Sequence, residues 1–123
     1  MGGVLVVDDS EAIGRALAKL LSAACGIDTH LVTSGEDALC YVDEHPVEAV
    51  VLDLMMPGMT GFEVLRRLRA GDRTKSLPVV IYSAMDEPAA IDEIKRLGAQ
   101  EFVLKGSHVA EICKAVIRLK LTP

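Results

Sequence analysis

The chain has no tryptophan and only two tyrosines and two phenylalanines in 123 residues, so aromatic rings make up 3% of a sequence that is half hydrophobic. Its core must come from Val, Leu, Ile, Ala and Met, a mixture that suits a parallel sheet buried between helices better than an aromatic-rich barrel. Positive charge is scarce too: 13 Lys and Arg against 18 Asp and Glu leave a formal net charge of −5, with no basic cluster. A grip on nucleic-acid phosphates relies on such clusters, so no direct contact with nucleic acid is expected. Cysteine is sparse and odd in number: Cys25, Cys40 and Cys113 are far apart within apolar helical patterns. They read as reduced thiols of a cytoplasmic protein, neither a disulfide framework nor a metal set. The histidines, His30, His45 and His108, include no two at ligand spacing. Signal-peptide character, a run of membrane-spanning length and a Gly-rich loop followed by Lys-Ser or Lys-Thr are all missing.

What is present alternates from end to end. Val4-Leu5-Val6-Val7 is a short apolar run closing on Asp8-Asp9, as a buried strand reads. Ser10 can cap a helix whose apolar positions Ile13, Leu17, Leu20, Leu21 and Ala24 fall on one stripe, with Gly26 to end it. A second strand is expected from about Ile27 to Val32, then a capping-box pattern at Ser34-Gly35-Glu36-Asp37 opening a helix that Pro46 stops. Ala49-Val50-Val51-Leu52 is a third run, delivering Asp53 at its end; Met55 to Met59 is a loop. Thr60-Gly61-Phe62-Glu63 opens a helix to about Ala70. Pro78 to Tyr82 is the fourth strand and Phe102 to Leu104 the fifth. The helix between them is expected to start near Asp86 and end at Gly98; the last helix runs from Ser107 to about Lys120. Five strand-helix units with short links predict one domain over residues 1–123, an α/β fold with an open parallel sheet covered on both faces.

In such sheets, sites lie at the carboxyl ends of the strands, where the strand order reverses. The residues there are Asp8 and Asp9 after the first strand, Asp53 after the third, Ser83 after the fourth and Lys105 after the fifth. Singly, each has an ordinary explanation: helix cap, turn former, strand-end hydroxyl, solvated lysine. Together they form a set with a chemical logic. Carboxylates held side by side need a cation to stay ionised, and a hard ion of the Mg²⁺ kind suits a few carboxylates that share their site with a phosphate. Phosphoryl transfer asks for in-line positioning and charge stabilisation, which Mg²⁺, Lys105 and Ser83 can supply while one carboxylate serves as nucleophile.

The segments Val6-Val7-Asp8-Asp9-Ser10, Leu52-Asp53-Leu54-Met55-Met56-Pro57-Gly58-Met59-Thr60-Gly61, Ser83-Ala84 and Phe102-Val103-Leu104-Lys105 resemble the receiver domain of two-component response regulators. The resemblance covers nearly the whole chain and implies a doubly wound, flavodoxin-like three-layer sandwich with strand order 2-1-3-4-5, which general α/β-fold rules already illustrate with this family. It implies Asp53 as phosphoacceptor, with Asp9, Asp53 and the backbone carbonyl of Met55 on Mg²⁺ and Asp8 acting through a bound water. It implies Lys105 and Ser83 on phosphoryl oxygens, and Ser83 with Phe102 as the switch pair. The implied donor is a phosphohistidine on a histidine kinase or phosphotransfer protein. The implied output is a changed face of fourth helix, fifth strand and fifth helix, offered to a downstream protein or output domain or to a homodimer partner. Such a chain catalyses only its own phosphorylation and dephosphorylation.

Two features depart from or modulate that pattern. The family usually carries proline after the lysine; here residue 106 is glycine, so a trans Lys105–Gly106 link and a freer loop are expected. Met55 and Met85, two residues beyond Asp53 and Ser83, give a hydrolysing water no hydrogen-bonding guide, so a long-lived phosphoaspartate is expected. A phosphatase-type enzyme would need a general acid where Met55 stands. A degenerate receiver serving only as a binding module would not need Asp8, Asp9, Asp53, Ser83 and Lys105 all intact, though Gly106 leaves it room.

Overall fold

The computed structural model describes residues 3–105 and 109–121. Gly106, Ser107 and His108, and with them the expected link after Lys105 and the opening of the last helix, lie outside the described residues, as do Met1, Gly2, Thr122, Pro123 and the side chains of Ala24, Cys25, Val109, Ala110, Lys120 and Leu121. The elements run β1 (Gly3–Val7), α1 (Glu11–Cys25), β2 (Thr29–Val32), α2 (Gly35–Glu44), β3 (Val47–Asp53), α3 (Gly61–Ala70), β4 (Val79–Ser83), α4 (Pro88–Arg96), β5 (Glu101–Leu104) and α5 (Val109–Leu121). All pairings are parallel, and the sheet order is β2-β1-β3-β4-β5.

The central strands are apolar on consecutive residues because both faces are covered, and the alternation of side chains divides them between two layers. Leu5, Val7, Val50, Leu52, Val79 and Ile81 pack with Val64, Leu65, Leu68 and Ile94 on the side of α2, α3 and α4. Val4, Val6, Ala49, Val51, Val80 and Val103 pack with Leu17, Leu21, Ile112 and Val116 on the side of α1 and α5. Truncating a fully buried member such as Leu65 to Ala costs about 2–5 kcal/mol in cores of this kind.

Caps define the helix starts. Ser10, Ser34 and Thr60 each accept a hydrogen bond from the backbone N–H three residues on, at 3.3, 3.1 and 3.3 Å. At Thr60 only the hydroxyl half of the expected capping box forms, because the Glu63 carboxylate pairs forward with Arg66 and Arg67. Gly26 ends α1 at φ 62°, a conformation glycine adopts without strain.

Several sequence expectations need correction. Among the described side chains of α1 the buried stripe is Gly14, Leu17 and Leu21, while Ile13 and Leu20 are exposed. A stripe centred on the sheet must run through Gly14, whose missing side chain makes room for Leu31: an added Cβ would lie 2.5 Å from Leu31 Cδ1. The fourth helix starts at Pro88 and not near Asp86, since proline's fixed φ and absent N–H suit a first-turn position. β2 starts at Thr29, two residues late, whereas β3 begins earlier than expected, at Val47.

Candidate functional site

Asp8 follows β1 directly. Its N–H donates to the Val32 carbonyl at 3.2 Å, and its Oδ1 accepts the Ser10 N–H at 2.9 Å. That leaves the second oxygen, Asp8 Oδ2, buried and without a hydrogen-bond partner. Asp9, next in the chain, is exposed. Asp53 is the last residue of β3 and only 2% exposed. Its Oδ1 accepts the Met55 N–H at 3.2 Å and its Oδ2 accepts from Lys105 Nζ at 3.1 Å. One oxygen from each of Asp8, Asp9 and Asp53 lies within 4.8 Å of the others. This gathering follows from topology: β1 and β3 are neighbours, so their carboxyl ends lie side by side.

The loop after Asp53 is pinned from beneath. Leu54 and Met56 are buried, whereas Met55 points outward and is 54% exposed. Gly58 takes φ 75° to turn the chain, and the Gly61 N–H closes the loop onto the Leu54 carbonyl at 2.9 Å. A Cβ at residue 61 would stand 2.4 Å from the Asp53 carbonyl oxygen and 2.7 Å from Leu54 Cα. Only glycine lets the start of α3 press this closely against the backbone of Asp53.

Ser83 ends β4, is fully buried, and its Oγ accepts the Met85 N–H at 3.1 Å. The Lys105 N–H donates to the Ser83 carbonyl at 2.7 Å, so the backbone ties the hydroxyl-bearing and amine-bearing residues together. Lys105 Nζ stands 3.9 Å from Asp8 Oδ2, beyond hydrogen-bond reach, and 5.3 Å from the centroid of the Tyr82 ring, over its face. Phe102 is half-buried against the α2-α3-α4 layer, beside Ile81 in the sheet. Met85 is half-buried against the same layer.

Electrostatically the site is unfinished. Burial pushes the Asp53 carboxyl up from 3.8 to about 6; the Lys105 hydrogen bond and charge oppose this, Asp8 adds to it, and the Met55 N–H works against it. The three convergent carboxylates, including a buried Asp8 oxygen without a hydrogen bond, make a set of oxygen donors whose negative charge Lys105 only partly offsets. That set fits a hard divalent cation such as Mg²⁺. Of the sequence-derived candidates, Asp8, Asp9, Asp53 and Lys105 are brought together, Ser83 is tied to Lys105 through the backbone, and Phe102 lies on the neighbouring strand. Tyr82 was not among the candidates, because its nearness to Lys105 depends on sheet register and not on any local motif.

The description "Response regulator receiver domain" matches residues 4–117. "Sensory transduction protein RegX3" of Mycobacterium tuberculosis is 37% identical over 123 residues, covering 96% of this chain and 52% of that protein. The chain thus spans about half the length of the mycobacterial relatives it matches. The chemotaxis protein CheY4 of Vibrio cholerae superimposes with a TM-score of 0.89 at 28% identity, over 97% of this chain and 98% of that one. The response regulator TrrA of Thermotoga maritima, solved with Mg²⁺-BeF, gives 0.84 at 28% identity, over 97% and 99%. With sheet order, acidic strand ends and family match in agreement, this chain belongs to the response regulator receiver domain family.

Proposed function

We propose that the chain is a phosphoacceptor switch in which Asp53 takes a phosphoryl group from a phosphohistidine on a kinase or phosphotransfer protein in the cytoplasm. The observation that carries the reading is the convergence of Asp8, Asp9 and Asp53 within 4.8 Å, with one buried Asp8 oxygen left without a hydrogen bond. Asp9, Asp53 and the Met55 carbonyl would hold Mg²⁺, with Asp8 reaching it through water. Bound there, the ion supplies positive charge that lets an anionic phosphoryl group approach three carboxylates.

The chain's own groups do the rest. Asp53, oriented by the Met55 N–H, forms the new O–P bond as the donor's P–N bond breaks and the leaving imidazole takes up a proton. Lys105 already sits at hydrogen-bond distance from the Asp53 carboxylate and can turn its ammonium onto an equatorial phosphoryl oxygen. The Ser83 hydroxyl, now an acceptor for Met85, can donate to another. Its inward movement would free space beside Phe102, and the two together would shift the population of the α4-β5-α5 face toward a form that a downstream partner, an output domain or a second copy recognises.

The test is incubation with a small phosphodonor and Mg²⁺, followed by intact-mass analysis. The parent should gain one phosphoryl group and Asp53→Asn none. A parent that stays unmodified, or an Asp53→Asn variant modified equally, would refute the reading.

A further inference from the structure

We infer that Tyr82 is a positioning residue for Lys105, its ring face keeping the ammonium on course to Asp53. The chemical consequence rests on the function proposed above; the geometry stands by itself. Parallel register sets Asp53 opposite Tyr82 and Tyr82 opposite Val103. Paired residues of a sheet share a face, and Lys105, two positions past Val103, returns to that same face. Strands lie about 4.8 Å apart, so a side chain starting beyond β5 must cross the whole of β4 to reach the end of β3. The side chain in its path is Tyr82.

The distances agree with that course. Lys105 Nζ is 5.3 Å from the Tyr82 ring centroid and 3.1 Å from Asp53 Oδ2. Attraction of a cation to a ring face operates within about 6 Å. Tyr82 is half-buried and packed against the α1-α5 layer, so the ring is a fixed platform, whereas the lysine stem is long and freely rotating. The residue that follows Lys105 is glycine, which brings no side-chain restraint of its own. An aromatic face suits this task better than a carboxylate would. It holds the ammonium without competing for it, so Lys105 can exchange the Asp53 carboxylate for a phosphoryl oxygen while still resting on the ring.

The experiment uses the full chain and two readouts. In the parent protein without phosphodonor, the ε-methylene NMR signals of Lys105, assigned by their loss in Lys105→Arg, should be shifted upfield by the ring. They should stay shifted in Tyr82→Phe and return to ordinary lysine positions in Tyr82→Leu. With a small phosphodonor and Mg²⁺, Tyr82→Leu should label about three- to tenfold more slowly than the parent, with the Mg²⁺ dependence of its Tm unchanged. Tyr82→Phe should recover most of that rate. An unshifted Lys105 signal in the parent, or parent-like labelling by Tyr82→Leu, overturns the inference while leaving Asp53 as phosphoacceptor intact. A parent that takes no label strikes at the phosphoacceptor reading, and the Lys105 signal then decides the positioning role. Should Tyr82→Leu fail to fold, the parent and Tyr82→Phe signals decide it.

Discussion

Asp53 is held under a pH-dependent strain that the cation-free protein must feel. Its carboxyl titrates at about 6 in the folded chain against 3.8 as the reference for an unfolded one. Between those values the fold retains a proton that the unfolded chain has released, so stability falls as pH rises from about 4 to about 6. The loss then persists at higher pH, on the order of a few kcal/mol. Thermal melts of cation-free protein across that range should show the slope, and Asp53→Asn should lack it; a variant with the parent's slope would contradict the assignment. At the same scale, Met55 is exposed beside the site and Met85 half-buried, and neither side chain can steer a water toward a phosphoryl group. Phosphorylated protein should therefore lose its label slowly. Met55→Asn, which offers a water a hydrogen bond, should speed that loss several-fold in a time course of intact mass.

Among the elements, α4 is lightly attached. Ile94 is its buried residue, and its N-cap, Glu87, makes no side-chain capping bond. Its far end is secured from another helix: Arg69 of α3 donates to the Gly98 carbonyl at 2.8 and 3.2 Å, to the Thr74 carbonyl at 3.2 Å and to Gln100 Oε1 at 3.1 Å. Gln100 Oε1 in turn accepts the Val79 N–H at the start of β4, at 2.7 Å. Arg69→Met should remove these bonds, destabilise the fold by about 1–3 kcal/mol, and speed amide exchange chiefly over residues 97–100. Unchanged exchange there would refute a clamping role. This clamp was not legible in the sequence, since an arginine that bonds backbone carbonyls leaves no pattern of charges to read. The exposed flank of α1 at Ile13 and Leu20 was misread for a related reason: an apolar residue declares its preference, but only packing decides between neighbouring faces. By contrast, β1, β3 and β4 announced themselves through unbroken apolar runs, Val4–Val7, Ala49–Leu52 and Val79–Ile81, because burial on both faces leaves no polar position there. The acidic cluster was legible for the same reason, its carboxylates marking the points where the runs of β1 and β3 end.

For the molecule as a whole, the sheet order matters more than any one contact. Because β1 and β3 lie at the centre, the carboxylates at their ends sit above the best-packed part of the core, with Leu5, Val6, Val51 and Leu52 beneath them almost fully buried. A cation bound there is linked to global unfolding and not to local fraying. The Tm should rise with the logarithm of Mg²⁺ concentration, equivalent to about 2.7 kcal/mol at a hundredfold excess over Kd. In Asp9→Asn the same rise should need a higher concentration. A calorimetric series in which parent and variant respond alike would show that the ion, if bound, does not use this site.

Ile94 and the Gly98 junction together make α4 a helix with one foot planted. Ile94 is its one fully buried side chain, with Ile91 half-buried beside it, so re-seating this helix would cost less apolar burial than re-seating a deeper one. Under the proposed function, a signal worth only a few hydrogen bonds would be enough to move it, whereas α3, anchored by Gly61, Val64, Leu65 and Leu68, would hold its place.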